Sequence, residues 1–201
     1  KSLMVNLSDV AAMGATPVAT LLSLSLPESA QGEWSEAFMR GYYDASREEG
    51  VALVGGDTTA SRDRISINVV AIGRVQGANI KRRSAAKVGD IIAVTGKLGT
   101  SSKGLIDIMF GDLDTVAAKH HRVAQARIAE GVWLGGRTEV HAMMDISDGL
   151  SSELMHICTQ SKVGCRIYEE RIPIDYQTAV MAEELNMNVT TCALNGGEDY
   201  E

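Results

Sequence analysis

Between Pro17 and Pro27 the chain has very few ways to fold. Leu22, Leu24 and Leu26 alternate with Ser23 and Ser25, so an extended strand of period two puts the leucines on one face and the serines on the other. Pro27 ends the run by withdrawing a backbone donor. A strand with one apolar face needs a cover, and the flanking segments carry one at helical spacing. Leu3, Met4, Leu7, Val10 and Ala11 recur at i, i+3, i+4 up to Ala12 or Met13, ahead of Gly14. Trp34, Ala37, Phe38, Gly41, Tyr42 and Ala45 do the same between Glu33 and Glu49, and Gly50 closes that helix. Val51–Val54 then reads as a short buried strand delivering Gly55-Gly56-Asp57-Thr58-Thr59 as a loop. Ile65, Ile67 and Val69 begin a further strand that runs through Ile72 to Val75.

The stretch from Gln76 to Ser84 reads as a linker, with Lys81, Arg82 and Arg83 taken as a solvated set. It divides the chain into a unit over 1–80 and a unit over 81–201. The second opens with a strand at Ile91–Thr95, a Gly-rich turn from Gly96 to Ser102 and a helix through Phe110. A helix over about Val123–Leu134 follows, then a strand at Val140–Ile146. Ser147 or Asp148 is expected to cap a helix reaching about Gln160, and Gly164 to start a return through Arg166 and Ile167. The fold class expected is α/β of the α+β type: two mixed units, the second a mixed sheet with helices on one face.

Composition narrows the function classes. With 45% hydrophobic and 22% charged residues in 201, the chain is not a disordered one. No apolar run approaches the ~18 residues of a membrane span. A net charge of −7 argues against a sequence-independent grip on nucleic acid. Cys158, Cys165 and Cys192 make an odd number without CxxC spacing and read as reduced thiols of a cytoplasmic protein. Both ends read as cut from a longer chain: helical spacing starts at Leu3 with no capping residue before it, and the last residue, Glu201, closely follows Asn195-Gly196-Gly197.

Four aspartates stand where chemistry could use them. Asp9 interrupts the first helix, Asp57 follows two glycines, and Asp145 and Asp148 bracket a strand-to-helix turn in Met144-Asp145-Ile146-Ser147-Asp148-Gly149-Leu150. Singly, Asp148 could be a helix cap, Asp57 a turn residue and Asp9 a solvated side chain. Asp145 has no such explanation. If the four converge, a cation must offset their repulsion, and oxygen ligands without histidine favour Mg²⁺. Gly55-Gly56 would let a ligand approach the main chain, and the Gly96–Ser102 turn would present helix N-terminal amides to an anion. That turn is not a Walker A loop. The four histidines lack ligand spacing, and no Gly-x-Ser-x-Gly elbow occurs, so nucleophilic hydrolysis has no support.

Taken together, Asn6-Leu7-Ser8-Asp9 with Ala11–Ala15 and Pro17, Gly55–Thr59, Val94-Thr95-Gly96 with Leu98-Gly99, Asp145–Leu150 and Gly196–Glu201 resemble thiamine-monophosphate kinase. Several of these motifs are shared with the aminoimidazole ribonucleotide synthetase-like superfamily; the DISDGL and GGEDYE pair belongs to the kinase branch. The resemblance implies phosphorylation of thiamine monophosphate to thiamine diphosphate by direct, in-line transfer from ATP, assisted by several Mg²⁺ ions. It implies a homodimer whose N-terminal units contribute strands to a β-barrel between subunits. Carried over residue by residue, it makes Asp9, Asp57, Asp145 and Asp148 metal ligands, with Asp57 and Asp148 central to catalysis. Gly56, Asp57, Ser147 and Arg83 become nucleotide contacts and Glu198 a contact to thiamine monophosphate. The family's Gly-Asp-Asp segment lies outside these residues, so part of the ligand set is expected elsewhere. Two other readings stand beside it: an ATP-dependent ribonucleotide cyclo-ligase of the same superfamily, or a non-catalytic nucleotide- and Mg²⁺-binding module.

Overall fold

The leucine alternation forms the middle of a sheet. In the computed structural model, which describes residues 1–201, strand β1 (Thr16–Leu26) lies between β2 (Ala52–Ala60), parallel to it, and β3 (Ser66–Arg74), antiparallel. Leu22, Leu24 and Leu26 join Leu3 and Leu7 of α1 (Ser2–Ala12), Tyr42 of α2 (Glu33–Glu48), Ala30 and Val51 in one core. Each buried leucine contributes about 1.5–3 kcal/mol by leaving water. Fully buried Thr20 is satisfied there, its Oγ1 accepting from the Tyr42 hydroxyl at 2.9 Å.

The loop expected at Gly55–Thr59 is instead the body of β2, paired in register Leu22 with Gly56 and Ser23 with Asp57. The glycine makes that pairing possible. Gly56 has φ +153, and a Cβ there would collide with the Leu22 carbonyl oxygen, so its missing side chain is what admits β1. Glycines likewise set the crossing of α1 with α5 (Ile128–Gly135), where Gly131 meets the Ala11 carbonyl and Gly135 packs on Gly14. The presumed solvated trio is also split. Lys81 is buried and donates from Nζ to the Arg137 carbonyl at 2.6 Å, tying the linker to the end of α5, while Arg82 and Arg83 are exposed.

The second half is mainly helical: α3 (Thr100–Met109), α4 (Val116–Arg122), α5, α6 (Leu150–Ser161), α7 (Tyr176–Glu184) and α8 (Val189–Asn195). Leu98, Ile146, Leu150, Leu154 and Ala193 form its core. The helix expected over about 123–134 is α5, starting later at Ile128, and an unexpected helix, α4, precedes it. Buried Ala117 and Ala118 hold α4 against α3, where Gly104 leaves room for the Ala117 carbonyl. Helix α6 is capped by Gly149, not by Ser147 or Asp148, since neither side chain accepts from its first turn. The expected sheet of this half is absent. Residues 91–95, 140–146 and 164–167 form no ladder, and the one bridge pairs Leu98 with Ile174. A strand exists only where a neighbour takes its hydrogen bonds, and Ile91 is 92% exposed.

Candidate functional site

Two distant segments build the site by pairing backbone to backbone. The Tyr200 amide donates to the Ile146 carbonyl at 2.9 Å and the Glu198 amide to that of Ser147 at 2.7 Å. Glycine permits this approach: a Cβ at Gly197 would lie 2.6 Å from the Ser147 oxygen, and one at Gly149 (φ +115) 2.7 Å from the Leu194 oxygen. Glu198 and Tyr200 adopt positive φ, +66 and +55, which costs energy outside glycine and marks a shape the surroundings impose. Asp199 between them imposes it. Its side chain is 2% exposed and accepts from the Gly99 amide at 2.8 Å and the Ser101 amide at 3.0 Å. Burial raises its pKa and those two hydrogen bonds work against the rise. The amides expected to receive a phosphate at the start of α3 are therefore occupied by the chain's own carboxylate.

Helix α1 approaches the same place. Buried Ser8 donates from Oγ to Asp145 Oδ2 at 2.6 Å. Burial, then the Asp145 charge, raises the pKa of neighbouring Asp9; Arg83 offsets part of this and Glu153 adds to it. The Tyr200 hydroxyl is pushed up to about 12, first by burial and then by Glu198, Asp145, Asp9 and Asp148. Asp9, Asp145, Asp148 and Glu198 thus share one strongly negative neighbourhood, with Arg83 close enough to be felt. Asp57 makes no hydrogen bond to any of them. It stands exposed on β2, its Oδ1 accepting from the Thr58 amide at 2.9 Å, with Gly56 beside it. No three acidic, histidine or cysteine side chains converge closely enough to hold a metal ion by themselves.

Three contributors, His121, Arg127 and Glu153, escaped the sequence reading. Glu198 pairs with Lys1 and lies 3.7 Å from His121 Nε2, while His121 Nδ1 meets Ser101 Oγ at 2.7 Å. Burial, then Lys1, lowers the His121 pKa. Glu201 is gripped by Arg127 through Nε at 2.7 Å and through Nη2, and accepts from Thr95 Oγ1 at 2.8 Å. Buried Glu153 accepts at Oε1 from the Asp148 amide at 2.9 Å and from Ser147 Oγ at 3.4 Å. Its reach back over a helix start is that of a capping box, but across five residues rather than three, so the usual spacing did not reveal it. A cleft of about 490 Å³ opens beside these groups, lined by Ser8, Asp145, Glu153, Tyr200, Arg127 and Glu201, with apolar walls from 91–94 and 142–144.

Comparison with known proteins bears on this geometry. Residues 1–75 match the AIR synthase related protein N-terminal domain, and residues 87–194 the C-terminal domain of the same group. A thiamine-monophosphate kinase of Buchnera aphidicola from Schizaphis graminum is 36% identical over the whole chain, and that of Bacillus subtilis 34%. The crystal structure of thiamine monophosphate kinase from Aquifex aeolicus superposes with a TM-score of 0.90 at 32% identity, covering 98% of this chain and 68% of that one. The chain belongs to the thiamine-monophosphate kinase family. It spans 62% of the length of those two curated kinases. A related structure, AaThiL complexed with AMPPCP and TMP, gives a TM-score of 0.91 over 98% of this chain and 64% of that one, at 32% identity. The hydrogenase maturation protein HypE in complex with ATP, 23% identical with a TM-score of 0.82, shares the fold. Within the thiamine-monophosphate kinase family, the paired DISDGL and GGEDYE segments are thus held together by this chain's own backbone.

Proposed function

We propose that the protein carrying this chain phosphorylates thiamine monophosphate with ATP, giving thiamine diphosphate. One observation carries the reading: the two segments typical of the kinase branch pair backbone to backbone, and Glu198, Asp145, Asp9 and Asp148 all act on the Tyr200 hydroxyl between them. The acceptor is a phosphate oxygen, already anionic near neutral pH, so no strong general base is needed. The reaction needs two polyanions held in line and their charge offset. The negative neighbourhood fits Mg²⁺ on its own chemistry: the Asp145 and Glu153 charges add to the cost of ionising Asp9, and of the charges acting on Asp9 only Arg83 opposes them. Mg²⁺ is commonly held by one or two carboxylates with substrate phosphates, so no complete protein cage is required. When bound, it neutralises phosphate charge.

In this reading Asp9, Asp145 and Asp148 hold the metal, and Asp57 joins them from β2 on the nucleotide side with Gly56. Ser147 and Arg83 contact the nucleotide, and Glu198, fixed by Lys1 and His121, contacts thiamine monophosphate. The chain divides into units 1–80 and 81–201, in keeping with family matches that leave 76–86 between them. The β1–β3 face bearing Leu21, Val70 and Ile72 is 38–49% exposed, and a second copy covers it to form the barrel of a homodimer. No helix is long and apolar enough to cross a membrane, and three free cysteines suit a reducing cytoplasm. The test is to incubate the full-length protein with thiamine monophosphate, ATP and Mg²⁺ and separate the thiamine esters. Thiamine diphosphate with matching ADP supports the reading; intact substrates refute it.

A further inference from the structure

Glu153 has no role in the scheme above, yet its carboxylate is buried against the Asp148 turn, at 3% exposure. One oxygen is used: Oε1 accepts from the Asp148 amide and from Ser147 Oγ. The other, Oε2, is buried with no hydrogen-bond partner. A charged oxygen left so is costly unless something that donates to it completes the structure. Glu153 lines the cleft together with Ser8 and Asp145, and its charge is felt at Asp9. Two hydroxyls beside it are already committed: that of Ser8 serves Asp145, and that of Ser147 serves Glu153 Oε1. A ligand that both donates hydrogen bonds and carries positive charge meets these conditions, and a hydrated divalent cation is that kind of ligand.

We propose that Glu153 is a positioning residue of the magnesium site. Its Oε1 fixes the Ser147–Gly149 turn and so the direction of Asp148, and its free Oε2 accepts a hydrogen bond from the water shell of the cation. The same side chain therefore couples the start of α6 to metal occupancy. This inference rests on the magnesium-assisted reading but does not require thiamine monophosphate to be the acceptor.

The experiment is a Mn²⁺ titration of the full-length protein with ADP present, followed by electron paramagnetic resonance, for wild type, Glu153→Gln and Glu153→Asp. Glutamine can keep the acceptor facing the Asp148 amide but turns the free oxygen into a donor. Glu153→Gln is expected to raise the Mn²⁺ dissociation constant at least fivefold, with a melting temperature close to wild type and an unchanged KM for thiamine monophosphate. Glu153→Asp, which keeps the charge, is expected to recover part of the affinity. Wild-type Mn²⁺ affinity in Glu153→Gln overturns the proposal. Should that variant not fold, wild type alone decides through hydrogen–deuterium exchange of residues 147–153 with ADP, before and after Mg²⁺. Slower exchange on adding the metal supports the coupling, and unchanged exchange overturns it. A wild type that binds Mn²⁺ in this manner but makes no thiamine diphosphate would refute the kinase reading and leave this inference standing.

Discussion

A Cβ at position 56 would run into the Leu22 carbonyl oxygen, and no rotamer relieves it because the backbone fixes both atoms. Gly56→Ala is therefore expected to cost about 3 kcal/mol, through overpacking and strain together, read as a lower urea midpoint; an unchanged midpoint would remove β1–β2 pairing as the reason for this glycine. His121 gives a second prediction at this scale. Burial lowers its folded pKa below the ordinary 6.5, so the unfolded chain binds more protons in the window between the two values. The stability this site contributes is full above about 6.5 and is lost as pH falls through the lowered folded value. The melting temperature of wild type should fall between pH 7 and 5.5, and His121→Asn should flatten part of that fall. An identical slope in both proteins would show that His121 does not titrate with folding. Asp145 stood out in the sequence because a carboxylate in an apolar run lacks a structural excuse. Glu153 and His121 did not, since their partners lie in the tertiary fold or at unusual spacing.

Among elements, the start of α3 depends most on a distant residue. Asp199 supplies the acceptors for the Gly99 and Ser101 amides and thereby pins the Glu198–Glu201 segment. Asp199→Ala leaves two buried donors unpaired and should cost about 2 kcal/mol, while Asp199→Asn, with one acceptor left, should cost less. Chemical denaturation measures both, and equal stability of all three proteins would contradict the capping role. Periodicity found β1, α1 and α2 because each buries one face against a shared core, which writes a repeat into the sequence. It passed over α7 and α8, which are short, although Asp175 and Asn188 cap them through the Gln177 and Thr191 amides. It also read strands at 91–95 and 140–146 from their apolar runs, but a sheet depends on partners that no local pattern supplies.

For the molecule as a whole, the exposed face carrying Leu21, Val70 and Ile72 predicts a dimer. Placing a charge there, as in Val70→Asp, should turn a dimer into monomers on analytical ultracentrifugation at micromolar concentration, with the helical core intact by circular dichroism. A wild type that sediments as a monomer would contradict the shared barrel. In the kinase reading the acidic neighbourhood around the paired segments assembles magnesium with two phosphate-bearing substrates. Its most direct test is a Mg²⁺ titration of thiamine diphosphate formation by the full-length protein, wild type against Asp148→Asn. Asp148→Asn is expected to lose at least tenfold in Mg²⁺-dependent turnover, about 1.4 kcal/mol of transition-state stabilisation. Superimposable titration curves for the two proteins would contradict it.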